Sequence, residues 1–302
     1  MFTKQIIDDD KSPKNPLLTE RELVEHVRLL RQHLAKDTAT PLPPDIPRGW
    51  WQRIAIPGTD RFTTSDHDSL EISDPGYLNR LGGALTTQEG FILRPMPKWA
   101  YLKPIFPDVS GKSILEIGCN NGFFCFEFEQ LRAAKITGAE VFDRFVEPAR
   151  WMAKARGSIV DFLMTDALLD LSLPAHDIVF MSEVYAHFVD PFFGLLRAIN
   201  LAKEILVIDS ATLSSLKYEI DLGAGIDPAT GKMTYHFWIL SDGLMLAYLL
   251  LCGIPPENVT RYVAPWPNHI VYVIDTREVA KYRAENDFQP CNTSFINAAW
   301  KF

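Results

Sequence analysis

Several things are scarce in this chain of 302 residues. It has four cysteines, Cys119, Cys125, Cys252 and Cys291, with no CxxC pair and no histidine clustering beside them. Neither a metal site nor a disulfide framework is therefore expected, and the thiols read as reduced. No stretch reaches the roughly 18 apolar residues that a membrane span requires. The opening "MFTKQIIDDDKSPKNP" has no signal-peptide layout. A cytoplasmic, soluble protein is the expectation. Positive charge is also short: 30 Lys and Arg face 38 Asp and Glu, a net −8, which works against broad attraction to nucleic-acid backbones or anionic membranes. Two phosphate-binding signatures are missing as well. The run "GCNNGF" from Gly118 has no glycine at Asn120 or Phe123, as GxGxxG demands, and no GxxxxGK followed by Ser or Thr occurs.

What is present is 47% hydrophobic residues, enough for a sizeable core. "LLTERELVEHVRLLRQHLA" places Leu23, Val27, Leu30 and Leu34 on one helical face, with Thr19 and Glu22 as a capping box flanked by a Leu18–Leu23 staple. A helix is predicted from about Thr19, ended by the stiff "PLPPDIP" at 41–47. From Trp50 to Val109 the chain is irregular and reads as a cap on another domain. From Gly111 apolar runs alternate with helical stretches: "SILEIG", "AKITGAEV", "IVDFLMTDAL", "HDIVFMSEV" and "EILVIDS" are five strand candidates. Their alternation with helices predicts an α/β fold, a Rossmann-like doubly wound and mostly parallel sheet with right-handed crossovers. "WILSDGLMLAYLLLCG" reads as a buried helix ending at Gly253, and "NVTRYVA" with "HIVYVID" as a pair closing the sheet. The expected division is a helical extension and linker at 1–48, a cap at 49–110, a core at 111–278 with a substrate-side segment at 211–240, and a tail at 279–302.

In such a sheet a ligand sits at the carboxyl ends of the strands, where their order reverses. The stretch "LEIGCNNGFF" supplies an acid and two glycines there: Glu116, Gly118 and Gly122. The glycines permit close backbone approach, and the helix that follows is expected to offer its N-terminal amides. Acid, one residue, Gly, three residues, Gly resembles the first motif of class I S-adenosylmethionine (SAM) dependent methyltransferases. That resemblance implies SAM as cofactor, with Gly118, Cys119, Asn120 and Gly122 forming the turn at its methionine end. It implies an acid closing the second strand, Glu140, on the ribose hydroxyls, with Asp143 as a competitor. It further implies Asp166 beside Ala167 at the adenine, and Ser182 in the turn after the fourth strand.

The likeness extends over about residues 49–275 to the tRNA (mo5U34) methyltransferase-like group. "IGCNNGFF" is similar to its "CNAGFY" form, "EVYAHFVDP" to "GVLYHLRDP", "WWQRIAIPG" with "FTTSDHD" to "WYHxIxL" with "TxG", and "FWILSDGLMLAYLLLCGI" to "WWxPSxxxLxxML". Ala186, Ser65 and Leu240 depart from that pattern, where it has Tyr, Gly and Pro. A methyl acceptor that is a small molecule is the first expectation, on charge. A tRNA wobble uridine, methylated or carboxymethylated, is the alternative, and it would want a basic groove of which no Lys/Arg cluster gives sign. A SAM-binding regulator without catalysis is a third reading. No DPPY or NPPY run for amino-group methylation of bases follows the fourth strand. His187 is the candidate catalytic base. Trp50, Trp51, His67, Tyr185, Tyr235, His236 and Trp238 are candidate pocket residues. Arg94, Lys98 and Lys103 read as a solvated face, with an anion-binding edge as the other option.

Overall fold

The computed structural model describes residues 46–47, 50–59, 62–63, 95–213, 215–226, 233–264 and 269–285. The predicted helix at Thr19, together with Ser65, His67, Arg94 and Cys291, lies outside these residues. Helix α1 (Pro95–Leu102) leads into β1 (Ser113–Ile117), α2 (Phe123–Gln130), β2 (Lys135–Glu140), α3 (Asp143–Arg156) and β3 (Asp161–Met164). Next come β4 (His176–Ser182), a short 3-10 turn (Tyr185–His187), α4 (Pro191–Leu201) and β5 (Ala202–Ala211). The chain continues through β6 (Ile220–Ile226), β7 (Met233–Leu240), α5 (Asp242–Leu251), β8 (Val259–Val263), β9 (His269–Asp275) and α6 (Val279–Glu285).

Seven strands form one sheet in the order β3-β2-β1-β4-β5-β9-β8. The first five are parallel, β9 runs antiparallel to β5, and β8 antiparallel to β9. All five predicted parallel strands and the closing pair are thus found. The central strands read as unbroken apolar runs because both faces are covered. Ile114, Ile178, Phe180 and Val207 pack on one side with α2 and α3, while Leu115, Val179, Met181 and Leu206 pack on the other with α4 and α5. Successive side chains along a strand alternate sides, so one run serves two cores.

The segment from 211 to 240 differs from expectation. β6 and β7 form a separate two-stranded hairpin, with Leu222 opposite Trp238 and Ile220 opposite Leu240. "WIL" therefore ends a strand rather than opening a helix. The boundary is set by Ser241, whose side chain accepts from the Leu244 amide at 3.1 Å and caps α5. Near the other end of the chain, α1 is fixed by Trp99, whose ring meets Phe106, Phe124 and Phe128 edge-on at centroid distances of 5.8, 5.9 and 5.7 Å. Each such pair adds about 0.5–1.5 kcal/mol beyond burial. That docking aims the neighbouring Lys98 at the ends of β4 and β5.

Candidate active site

The strand order reverses between β1 and β4, so the crevice lies above their carboxyl ends. There the chain leaves β1 through three left-handed residues, Gly118 (φ 72), Asn120 (φ 54) and Gly122 (φ 86). Asn tolerates this conformation, which explains how it stands at the middle position without a glycine. Two of the three permit no side chain larger than hydrogen. A Cβ at Gly118 would lie 2.4 Å from Val184 Cγ2, and one at Gly122 2.3 Å from the ring of Phe162.

Every amide of the turn is already donated within the protein. Gly118 and Cys119 donate to the Ala139 carbonyl at 2.8 and 3.2 Å, and Gly122 donates to Cys119 O at 2.9 Å. Asn120 donates to Glu140 Oε2 at 3.0 Å, and Asn121 to the Asn120 side chain at 2.8 Å. The Phe123 amide donates to Gln52 Oε1 at 2.8 Å. The expectation of a free helix N-terminus is corrected here: Gln52, not a ligand, takes its first amide. A phosphate needs such amides, so this turn is unsuited to one. What stands beside the turn is an acceptor, the Glu140 carboxylate.

Glu140 closes β2 as a buried residue, its carboxylate accepting from Asn120, Val141 (2.8 Å) and Phe142 (3.1 Å). Burial raises its pKa, and these three amides oppose that rise. A carboxylate has about four lone-pair sites, so capacity remains for hydroxyl donors. Asp143 opens α3, exposed, and Asp166 stands exposed after β3, accepting from the Leu168 amide at 2.9 Å, with Ala167 buried beside it. Glu116 points the other way. It is 2% exposed beneath the turn and accepts from the Cys125 thiol at 2.9 Å, and burial pushes its pKa up to about 8. The Cys119 thiol is fully buried too, raised by burial.

Residues 115–202 match the family model described as "Methyltransferase domain". The tRNA U34 carboxymethyltransferase of Campylobacter hominis is 33% identical over 100 residues, which are 32% of this chain and 34% of that protein. The chain thus spans about a third of the length of that curated relative. Among solved structures, the N-terminal domain of EvdMO1 with SAH and D-fucose aligns at TM-score 0.51 and 15% identity, covering 85% of this chain and 97% of that one. The same domain with SAH bound gives the same score and identity over 85% and 96%. At that identity the likeness concerns the fold. Residues 115–202 are thus a methyltransferase domain by their match, set within a fold shared with a SAH-bound domain.

In this methyltransferase domain the turn is gripped from outside the sheet. Asn121, fully buried, accepts from the Trp51 and Gln52 amides at 2.7 and 3.1 Å and donates to Phe145 O at 3.1 Å. Neither Asn121 nor Gln52 stood out in the sequence. Trp51 is 43% exposed beside Phe145, an open aromatic face next to the turn. Trp50 and Tyr185, both expected at a pocket wall, are instead core side chains at 1% exposure: Trp50 donates to Pro47 O and meets Trp151 edge-on, and Tyr185 packs with the α4 side of the sheet. Trp238 is half-buried and donates to Phe188 O at 3.1 Å, tying the hairpin to the turn after β4. Tyr235 and His236 lie on β7, opposite Gly225 and Ala224. His187 is exposed on the 3-10 turn, and Ala186 packs with Phe237 and Ile239. Leu240 is fully buried at the end of β7.

Lys98 contradicts the solvated-face reading. It is 2% exposed, with its ammonium 2.9 Å from Asp209 and 3.3 Å from Glu183. Burial alone would lower its pKa, but the two carboxylates outweigh that and raise it. Burial would likewise raise Asp209, yet Lys98 and His269 hold it well below the usual carboxylate range. Ser182 donates to Asp209 at 2.6 Å. Among the described residues no helix is long and apolar enough to cross a membrane.

Proposed function

We propose that this protein transfers a methyl group from SAM to a small-molecule acceptor. The observation that carries this reading is the turn after β1, whose amides are consumed internally while carboxylates stand around it. That donor set suits a sulfonium with an uncharged nucleoside, and it suits a nucleotide phosphate poorly. On this reading Gly118, Cys119, Asn120 and Gly122 pass beside the methionine end, with Ser182 across from them. Glu140 accepts from the ribose hydroxyls, and Asp166 with Ala167 borders the adenine. SAM supplies an already electrophilic methyl, so the protein's main task is to hold the nucleophile in line. Such positioning accounts for roughly 7–11 kcal/mol of barrier in well-oriented systems.

A small acceptor is favoured by the net charge of −8 and by Lys98, which is spent on Asp209 and Glu183 rather than offered to a polyanion. The similarity to a tRNA U34 carboxymethyltransferase favours the second reading, a wobble uridine. Methyl-labelled SAM added to a cell extract, then separated into RNA and small-molecule fractions, decides between them. Label in the small molecules is expected. Label confined to RNA would establish the second reading in its place.

A further inference from the structure

At the carboxyl ends of β4 and β5 four ionisable side chains from four separate elements converge. Lys98 comes from α1, Glu183 from the residue after β4, Asp209 from β5 and His269 from the start of β9. His269 Nε2 lies 2.5 Å from Asp209 Oδ1, and its Nδ1 lies 3.4 Å from Glu183 Oε1. Lys98 bridges the two carboxylates. The donor atoms of Glu183, Asp209 and His269 fall within 4.8 Å of one another, which is also a cation-binding spacing, but the ammonium of Lys98 supplies the positive charge among them.

Glu183 is unlike the other three. Lys98, Asp209 and His269 are buried, whereas the Glu183 side chain is 34% exposed. Its backbone is left-handed, with φ 55, a conformation that disfavours any residue with a Cβ and persists where surrounding structure enforces it. The pattern that "EVYAHFVDP" resembles has glycine at this place, which is unstrained in a left-handed backbone, and this chain has a carboxylate instead. Oε1 is held by Lys98 and His269, while Oε2 has only long contacts, 3.5 Å from Ser210 Oγ and 3.4 Å from the Ala211 amide. One residue on, Val184 abuts the Gly118 turn. A buried charge cluster gains little stability over apolar packing, so its worth lies in what it holds in place.

We propose that Glu183 is the general base of the transfer, with Oε1 anchored and Oε2 turned to the acceptor, and that the acceptor is a protic nucleophile, a hydroxyl or an amine. This rests on the methyl-transfer reading above. The acceptor oxygen or nitrogen forms a bond to the methyl carbon as the carbon–sulfur bond breaks and its electron pair stays on sulfur. The acceptor's proton passes to Glu183 Oε2 and from there to solvent, so the charge of the sulfonium leaves as that proton. The groups facing Glu183 are Lys98 from α1, His269 from β9, Asp209 and Ser210 from β5, and Tyr185 from the following turn. Lys98 and His269 act through Glu183 as positioning residues.

The test compares the full-length wild type with Glu183→Gln and Glu183→Gly, using methyl-labelled SAM and a small-molecule extract, with SAM affinity read separately by calorimetry. Both variants are expected to bind SAM within about twofold of wild type and to transfer methyl at least about 100-fold more slowly at neutral pH, the usual weight of a general base. Their rates should climb with pH as the acceptor loses its own proton. Glu183→Gly, relieved of the left-handed strain, should melt no lower than wild type, which separates lost chemistry from lost folding. Transfer within threefold of wild type by either variant would overturn the proposal and leave the methyl-transfer reading standing. So would a wild-type activity abolished by EDTA and restored by magnesium, which would assign the cluster to a cation. A wild type that binds SAM and transfers nothing to any fraction would overturn the methyl-transfer reading itself.

Discussion

Glu116 offers a stability prediction whose size follows from its surroundings. Its carboxyl is 2% exposed, accepts from the Cys125 thiol and lies near Glu140; burial first, then that neighbour, move its pKa from 4.5 to about 8. Between those values the folded protein keeps a proton that the unfolded chain has released, so stability falls as pH rises. The full contribution of the buried neutral acid is present below about pH 4.5 and is lost as pH climbs through 8. At about 1.4 kcal/mol per pH unit, Glu116 alone lowers stability by on the order of 5 kcal/mol across that window. Glu116→Gln keeps the shape and an acceptor for the Cys125 thiol without the proton to lose. Urea unfolding at pH 5, 6.5 and 8, followed by tryptophan fluorescence, should find the two proteins similar at pH 5 and the variant progressively more stable towards pH 8. Wild-type and variant stabilities that stay parallel over the whole range would refute the reasoning, since Glu116 would then ionise as if in water.

Other perturbations act on the turn and the charge cluster. Gly118→Val puts a branched side chain into Val184 at a left-handed position, and calorimetry should find SAM binding lost. Glu140→Ala should lose it too, because three amides of the turn and the start of α3 lose their acceptor; unchanged affinity in both would remove SAM from this turn. Asn121→Ala deletes three buried hydrogen bonds and should cost about 2–4 kcal/mol in urea unfolding, at about 1 kcal/mol per bond with an added penalty for orphaned amides. Lys98→Met leaves Asp209 buried without its ammonium and should cost about 3–5 kcal/mol. Since Asp209 is ionised in the fold well below its ordinary range, its own contribution to wild-type stability is present in full above about pH 4 and is lost as pH falls further, which urea unfolding at pH 4 and below should find.

The parts of this fold that were legible in sequence are those that depend on near neighbours. Five apolar runs became five parallel strands because their residues serve two cores at once, and the turn acids stood out by their spacing from Gly118. The hairpin of β6 and β7 was hidden because "FWIL" runs on into the apolar stretch of α5, and only the cap at Ser241 separates them. Trp50 and Tyr185 drew attention as aromatics near motifs, but aromaticity does not tell a pocket wall from a core. Gln52 with Phe123, and Lys98 with Asp209, are pairs joined across 71 and 111 positions of chain. No periodicity records such meetings; only the topology makes them.

The wide spacing of these partners also sets an order of events in synthesis. Trp51 and Gln52, which grip the turn, emerge before the turn itself, and the acids at Glu140 and Asp166 follow soon after. Lys98 emerges early as well, yet its partner Asp209 comes much later and His269 later still. At about 5–20 residues per second of translation, the hundred or so residues between Ala167 and His269 take roughly 5–20 s. For that interval a nascent chain holds the Gly118 turn with its acids while the charge cluster around Lys98 is still filling, Glu183 arriving first, Asp209 next and His269 last. The last strand inserted into the sheet is therefore also the one that completes the charge cluster at the carboxyl ends of β4 and β5.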